Sequence, residues 1–475
     1  MNGEGKLAGV GVLVVGLGPM GRGIARVFDR AGARVSVVDI SPEDTATGLD
    51  RIRAEADKDG ETLHDMQGAE LADAVSQAEL VVEAAVEDMA VKRQLLADIA
   101  AAGGPELVVA SNTSSLSIGE MGHAFGDPAR VVGMHFFNPP TKMRLVEVIV
   151  AAGTSARTAD RARELVAALG KTAVTCADSP NFIVNRVCRP LYYEAQLLVS
   201  QGVEPGVVDA VACGALGHPM GPLTLLDFTG LHTHLASSET ALREFGDPRY
   251  RPVPLVRRLV RSGMTGRAAG HGYYDYAAEK PRAALARVTR QPGEAGDPGV
   301  QIYRCGAPTE RDLREVRDMA AAGPVVVDSS DGHWLEALPD GVGWLHLHQA
   351  PHGGVFAEVV HDEVAGIEVP SFVYAMLDGL GAAAVEVPAL PGLVADRLAH
   401  CMANEASTLV EEGIATPADI DTALALGMNH PRGPFEQLAA DGADVVCSSL
   451  RSMAERTGDP RYRPAQLLVR QAARR

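Results

Sequence analysis

The chain has 475 residues, of which 46% are apolar, and its 61 acidic against 43 basic side chains give a formal net charge of −18. This length allows several domains, and the negative charge argues against broad binding to nucleic acid or to an anionic membrane. The sequence has neither a basic leader nor an apolar run of membrane-spanning length, so we expect a cytoplasmic protein. Its six cysteines form no CxxC pair and indicate reduced thiols rather than disulfides or a zinc site.

The first part of the chain alternates between apolar strands and helical patterns. The strands and helices are predicted at residues 10–15, 24–30, 35–38, 80–83, 90–101, 107–110, 131–134, 158–169 and 173–176. This alternation predicts an α/β domain over residues 1–178, a doubly wound parallel sheet of the Rossmann type. Ligands of such a sheet bind at the carboxyl ends of the strands.

The rest of the chain continues this plan and then repeats it. Residues 179–290 are predicted to be an all-α domain, and residues 298–386 a reduced Rossmann-like domain without a glycine-rich turn. Residues 387–475 form a second helical domain, and the stretch 281–298 is typical of a linker. Matching motifs, including an identical heptapeptide at Gly246 and Gly458, recur at an offset of 211 to 212 residues. The sequence therefore contains a duplication whose second copy has Asp396 in place of Asn185.

A glycine-rich turn follows the first predicted strand and opens the first helix. It reads Gly16-Leu17-Gly18-Pro19-Met20-Gly21, and Asp39 ends the next strand. Glycines let a pyrophosphate approach the helix N-terminus, while a carboxylate at this place accepts from ribose hydroxyls and repels a 2′-phosphate. The pattern predicts an NAD site.

Two polar features follow later strands on the ligand side of the predicted sheet. The run from Ser111 to Ser115 includes Asn112 and Ser114, which either bind substrate or nicotinamide, or cap the next helix. His135 ends a strand and Glu147 lies in the next one. A histidine with a carboxylate to orient it is the minimum equipment of a general base, although an isolated histidine here is also compatible with a structural role.

Several strings together resemble the L-3-hydroxyacyl-CoA dehydrogenase family. They are GxGxMGxGIA at 16–25, VEAxVEDxxVK at 82–92, SNTSSL, HFFNPP, LVEV, FIVNR at 182–186 and HPMGP at 218–222. The overall layout is similar to the long bacterial 3-hydroxybutyryl-CoA and 3-hydroxyadipyl-CoA dehydrogenases.

The resemblance implies NAD-dependent oxidation of a short (3S)-3-hydroxyacyl-CoA to the 3-oxoacyl-CoA, or the reverse reduction. It makes His135 the base and Glu147 its orienting partner, and it places Ser114 and Asn185 around the reacting oxygen. It also implies cofactor contacts for three residues, namely Glu87, Lys92 and Asn138. The expected partner is an acyl-CoA thioester, with pairing of the two helical domains inside one chain and a homodimer.

The chain departs from the family pattern in the region expected to hold coenzyme A. The segment between Asp39 and the strand at residue 80 is short, which leaves a carrier-protein thioester or a free hydroxy acid as alternative substrates. Lys142 is either a contact for an acidic acyl group or an exposed rim lysine. A non-catalytic NAD-binding assembly protein is the alternative from another class. We expect no metal site, because His346, His348 and His352 lack a matching carboxylate cluster in the sequence.

Overall fold

The first sheet has eight strands in the order β3-β2-β1-β4-β5-β6-β7-β8. The strands are Gly11–Val15 (β1), Arg34–Val38 (β2), Met66–Gly68 (β3), Leu80–Glu83 (β4), Val108–Ser111 (β5), Val131–Phe136 (β6), Leu145–Val150 (β7) and Thr172–Ala177 (β8). All neighbouring strands are parallel except β6 and β7, which are antiparallel. The predicted fold class is confirmed, and the short strand β3 is an element that the sequence analysis did not predict.

Helices connect these strands in the manner of a doubly wound fold. They are Pro19–Arg30 (α1), Pro42–Asp59 (α2), Leu71–Gln77 (α3), Met89–Ala102 (α4), Ile118–Phe125 (α5) and Ala156–Ala168 (α6). Their starts follow local chemistry, since Pro19 occupies the first turn of α1 and the side chains of Ser41 and Asp88 cap α2 and α4. The β1 strand is buried along its whole length, which explains its continuous apolar run.

A computed structural model describes residues 6–276, 299–306, 309–331, 338–361 and 368–474. The chain divides into two units, one made of Met1–Arg186 with Glu412–Met428 and the other of Val187–Glu411 with Asn429–Arg475. The predicted linker at 281–298 lies outside the described residues. In the described residues, no helix combines the length and the apolar character needed to cross a membrane.

The second unit contains a smaller sheet in the order β13-β12-β11-β10-β9. Its strands are Gln301–Arg304 (β9), Val325–Asp328 (β10), Gly343–Gln349 (β11), Val355–His361 (β12) and Ala383–Pro388 (β13). As in the first sheet, one neighbouring pair is antiparallel, here β11 and β12. This sheet therefore repeats the order of β4 to β8 and omits the strands that carry the glycine-rich turn.

The described residues contain twelve further α-helices. They are Val184–Ser200 (α7), Pro205–Gly214 (α8), Pro222–Thr229 (α9), Leu231–Phe245 (α10), Pro254–Arg261 (α11), Glu310–Ala322 (α12), Ser371–Gly379 (α13), Ala395–Glu411 (α14), Pro417–Gly427 (α15), Pro434–Asp441 (α16), Ala443–Thr457 (α17) and Gln466–Ala472 (α18).

The two sheets are covered by corresponding helices taken from opposite ends of the duplication. In the first unit α15 packs against β7 and β8, and the amide of Ala177 donates to the carbonyl of Ile414 at 2.9 Å. In the second unit α8 packs against β13. The first unit thus contains residues 412–428, which the sequence analysis placed in the second helical domain.

Buried polar contacts join the two helical segments within the second unit. The Glu194 carboxylate accepts from Arg397 Nη2 at 2.9 Å and from the Tyr462 hydroxyl at 2.8 Å. His218 and His430, which stand in corresponding motifs, stack with ring centroids 3.8 Å apart. Burial lowers the pKa of His218 to about 4, so this histidine is neutral in the stack.

Candidate active site

The turn between β1 and α1 requires glycine at two positions. Gly16 has φ of +93°, and a Cβ at Gly21 would lie 1.8 Å from the Gly16 carbonyl oxygen. Gly18 differs, because no described atom lies within 4 Å of the place that its Cβ would take. Gly16 and Gly21 therefore serve the packing of the turn, whereas Gly18 borders open space.

Asp39 is placed directly beside this turn. Its Oδ2 accepts from the backbone amide of Leu17 at 2.8 Å, and its Oδ1 accepts from the amide of Ile40 at 2.7 Å. The carboxylate thus connects the end of β2 to the glycine-rich turn by a hydrogen bond. It adds a negative charge that suits ribose hydroxyls and disfavours a 2′-phosphate.

The start of α1 completes a site that fits NAD. Gly18 is its N-cap, no described side chain caps it, and Met20 in its first turn is partly buried. The first backbone amides of this helix are therefore available to a pyrophosphate, next to the open space at Gly18. When bound, NAD supplies the acceptor for a hydride released by the substrate.

The antiparallel pair β6 and β7 brings His135 opposite Glu147. His135 Nδ1 and Glu147 Oε2 are 2.7 Å apart, and both side chains are buried, with exposed fractions of 9% and 0%. The other carboxylate oxygen, Oε1, accepts from the backbone amides of Ile183 at 3.2 Å and Val184 at 2.9 Å. The imidazole and the two backbone amides thus hold the carboxylate from two sides. The carboxylate in turn fixes the proton of the neutral imidazole on Nδ1, which leaves Nε2 to act on a substrate.

Asn112 and Asn185 are each tied to a residue that neighbours or contacts the dyad. The side-chain oxygen of Asn112 accepts from the amide of Phe136, the residue after His135, at 2.9 Å. Asn185 stands in the first turn of α7, immediately after Val184, whose amide binds Glu147. Both predicted residues belong to the first unit, as the dyad does.

Ser114 belongs to a group of hydroxyls around the Glu87 carboxylate. Glu87 Oε1 accepts from the hydroxyls of Thr113, Ser114 and Ser115 at 2.7, 3.2 and 3.1 Å, and from the amide of Ser114 at 2.9 Å. Partial desolvation works to raise the pKa of Glu87, but these hydrogen bonds and the charge of Lys92 hold it below its usual value. Thr113 and Ser115 are members of this group that the sequence analysis did not single out.

Lys92 is almost fully buried and forms an ion pair inside the protein. Its Nζ lies 2.6 Å from Glu83 Oε1, with exposed fractions of 1% and 0%, and 3.7 Å from Glu87 Oε2. The Ser111 hydroxyl donates to the other oxygen of Glu83 at 2.6 Å. Lys92 thereby links the ends of β4 and β5 to Glu87, and its predicted cofactor contact stays a prediction.

Asn138 and Lys142 are exposed on the loop that follows β6. Lys171 holds the backbone of this loop, because its Nζ donates to the carbonyls of Pro140 at 2.6 Å and Met143 at 2.5 Å. Burial, with a smaller effect of a nearby arginine, lowers the pKa of Lys171 to about 8. The loop is therefore held by its backbone while the two predicted ligand contacts remain free to face solvent or substrate.

One sequence-based expectation about the second unit is wrong. His346 and His348 are not isolated from carboxylates, since His346 Nδ1 lies 3.1 Å from Asp328 and His348 Nε2 lies 2.8 Å from Glu358. Asp396 lies 3.6 Å from the other ring nitrogen of His346. The three carboxylates have no local signal in the sequence, because they come from three separate elements, β10, β12 and α14. His352 lies elsewhere, against the carbonyl of Gly217.

Family models match both halves of the chain. A family model described as the NAD binding domain of 3-hydroxyacyl-CoA dehydrogenase matches residues 11–179, and the model of the C-terminal domain matches 182–276 and again 392–474. The chain is 32% identical over 486 residues to a 3-hydroxyadipyl-CoA dehydrogenase of Escherichia coli K12, covering 97% of each protein.

Two further matches cover different shares of the chain. A probable 3-hydroxybutyryl-CoA dehydrogenase of Bacillus subtilis is 39% identical over 277 residues, which cover 56% of this chain and 96% of that protein. The crystal structure of a 3-hydroxybutyryl-CoA dehydrogenase from E. coli K12 is similar with a TM-score of 0.82 and 30% identity, over 98% of each chain. The similarity to the E. coli protein therefore includes the second half.

Proposed function

This chain belongs to the 3-hydroxyacyl-CoA dehydrogenase family and is an NAD-dependent oxidoreductase, and on that premise we propose that His135 and Glu147 are its catalytic dyad. The substrate that we propose is a short (3S)-3-hydroxyacyl-CoA such as 3-hydroxybutyryl-CoA or 3-hydroxyadipyl-CoA. The observation that carries the proposal is the 2.7 Å contact between His135 Nδ1 and a Glu147 carboxylate that two backbone amides hold in place.

The dyad has one task in each direction of the reaction. In oxidation, Nε2 of His135 takes the proton of the C3 hydroxyl, and Glu147 stabilises the positive charge that develops on the ring. In reduction, the protonated ring donates that proton to the carbonyl oxygen. Because Glu147 is fully buried, its charge acts on the imidazole without competition from bulk water.

We assign the remaining polar residues to positioning of substrate and cofactor. Ser114 and Asn185 hydrogen-bond the reacting oxygen, and Asn112 holds the backbone after His135 while facing the nicotinamide side. Glu87, Lys92 and Asn138 act on the cofactor, together with the turn that contains Gly18 and the carboxylate of Asp39. The hydrogen bonds of Ser114 to Glu87 support this assignment, since they fix the serine beside the ends of β4 and β5.

We further propose that the domains follow the ranges 1–178, 179–290, 298–386 and 387–475, with internal pairing of the two helical domains. The contacts of Glu194 with Arg397 and Tyr462 support that pairing. The expected assembly is a homodimer and the expected location is the cytoplasm. Light scattering on the purified full chain measures the assembly state.

A substrate panel tests the proposed function. NADH consumption is followed with acetoacetyl-CoA, with a dicarboxylic 3-oxoacyl-CoA, and with the pantetheine and free-acid forms of acetoacetate. We expect turnover with the coenzyme A thioesters and little with the free acid, and failure of every short 3-oxoacyl thioester would contradict the proposal. If Lys142 contacts an acyl carboxylate, Lys142→Val raises KM for the dicarboxylic substrate and leaves KM for acetoacetyl-CoA unchanged.

A further inference from the structure

The second sheet retains the hairpin that carries the catalytic dyad in the first. Strands β11 and β12 pair His346 with Glu358 in register, as β6 and β7 pair His135 with Glu147. Glu358 also accepts from the backbone amides at the start of α14, with distances of 2.7 Å from Val394 and 3.2 Å from Ala395. A second histidine and a second clamped carboxylate therefore occupy equivalent places in a unit without a nucleotide-binding turn.

Four side chains around this second hairpin differ from their counterparts, and every change introduces a group able to bind a metal. One equivalence rests on a hydrogen bond, because Asp328 accepts from the amide of Leu347 at 3.0 Å as Asn112 does from that of Phe136 at 2.9 Å. The others follow from the 211-residue offset of the duplication. The four changes, from first to second copy, are Asn112 to Asp328, Phe137 to His348, Asn185 to Asp396 and Arg189 to His400.

Two of these changed side chains, His348 and Asp396, lie close to the retained His346. A ring nitrogen each of His346 and His348 and a carboxylate oxygen of Asp396 lie within 4.8 Å of one another. His346 Nε2 and Asp396 Oδ1 are 3.6 Å apart, close to the roughly 3.3 Å that separates two ligands of a tetrahedral Zn²⁺. The three side chains are 23%, 12% and 16% exposed, so they are shielded but accessible to an ion.

Each of the two histidine rings also has a nitrogen held by a carboxylate. His346 Nδ1 faces Asp328 at 3.1 Å, and His348 Nε2 faces Glu358 at 2.8 Å. Such an outer carboxylate, which fixes the tautomer and orientation of the ring, is the usual surrounding of a metal-binding histidine. It distinguishes this cluster from a chance meeting of polar side chains.

A fourth group, His400, lies next to the three ligands, and an open cleft lies beyond it. His400 Nε2 is 3.9 Å from Asp396 Oδ1, and its Nδ1 hydrogen-bonds the Ser449 hydroxyl at 3.0 Å. Ser449 in turn lines an open cleft together with Ser330, Asp331 and Gly392. The cleft is therefore linked to the cluster through the hydrogen bond of Ser449 to His400.

We propose that His346, His348 and Asp396 bind one divalent transition-metal ion, with His400 as the neighbouring fourth group. Two imidazoles and one carboxylate suit Zn²⁺ and similar ions, and they do not suit Mg²⁺ or Ca²⁺, which prefer oxygen ligands. The proposal concerns the second unit alone and does not depend on the dehydrogenase reaction.

Metal uptake by the full chain tests the proposal. The protein is stripped with a chelator, incubated with Zn²⁺, passed through a desalting column and analysed for zinc by mass spectrometry. We expect about one Zn²⁺ per chain. Asp396→Asn and His348→Phe each give the second copy a residue that the first copy carries at the equivalent place, and each should weaken Zn²⁺ binding at least about tenfold.

His352→Ala is the matched control, because it removes another histidine of the same hairpin region that lies outside the cluster. It should retain the uptake of the wild type. Circular dichroism verifies that all variants are folded, and the visible spectrum of bound Co²⁺ reports nitrogen and oxygen ligands in the unaltered chain. A wild type without stoichiometric uptake, or uptake that survives in both cluster variants, would overturn the proposal.

Discussion

Replacing Glu147 by glutamine tests the dyad with little change in shape. The Oε1 atom of Glu147 accepts from the amides of Ile183 and Val184, and a glutamine oxygen would keep those bonds. Its NH₂ group would then face His135 Nδ1 across the present 2.7 Å contact. Since NH₂ only donates, the ring would have to accept at Nδ1 and carry its proton on Nε2, the nitrogen that must receive the substrate proton.

The expected loss follows from two terms. A hydrogen bond to a charged group contributes about 1.5–3 kcal/mol, which corresponds to about 10-fold to 150-fold in rate at 1.36 kcal/mol per decade. The reversed tautomer adds to this and brings the loss into the range of a missing general base, about 10² to 10⁴ in kcat. KM and the affinity for NADH should stay close to the wild-type values, because the change lies outside the nucleotide turn.

Steady-state kinetics with acetoacetyl-CoA measure kcat and KM, and a fluorescence titration with NADH measures the affinity for the cofactor. Glu194→Gln is the matched control, because Glu194 is a buried carboxylate that serves the helical pairing of the second unit. That variant should lose thermal stability and retain kcat. If Glu147→Gln keeps kcat within about threefold of the wild type, the assigned role of the carboxylate is wrong.

Three further predictions concern cofactor binding and stability. Gly18→Ala should keep the Tm and weaken NADH binding at least about tenfold. Gly21→Ala should lower the Tm, because its Cβ would lie 1.8 Å from a carbonyl oxygen. Equal effects of the two variants on Tm would refute the distinction between the open Gly18 and the packed Gly21. The lowered pKa of Glu87 stabilises the fold above about pH 4.3, and this contribution disappears as the pH falls through the folded-state pKa. The difference in urea midpoint between wild type and Glu87→Gln should therefore shrink on acidification, and a constant difference would contradict it. Glu194→Ala leaves the buried Arg397 without its carboxylate, at a cost of about 3–5 kcal/mol. It should therefore lower the Tm by roughly 3 °C or more in a calorimetric scan, and an unchanged Tm would refute that cost.

Features set by neighbouring residues were predictable from the sequence. The glycine-rich turn, the start of α1 at Pro19 and the acid at Asp39 are specified within one βαβ unit, so their chemistry is visible locally. The positions of His135 and Glu147 on consecutive strands suggested the pair from the sequence, and the family resemblance implied their roles, although sequence spacing does not reveal that β6 and β7 are antiparallel. The short strand β3 carries no apolar pattern and was missed.

Features that depend on distant parts of the chain were not predictable in the same way. The packing of α15 against β7 and β8 follows from tertiary pairing and has no local signal. The burial of Lys92 against Glu83 is another example, since the sequence presents both as polar residues near a turn. The cluster around His346 did have a signal in the sequence. The 211-residue offset places His346 and Glu358 at the positions of His135 and Glu147.

The central claim is that the imidazole of His135 transfers the substrate proton. Its most direct test is the turnover of His135→Gln with NADH and acetoacetyl-CoA, measured beside its affinity for NADH. We predict a loss of about 10² to 10⁴ in kcat with unchanged NADH affinity and an unchanged circular dichroism spectrum. A folded, NADH-binding His135→Gln protein that retains wild-type kcat would contradict the account.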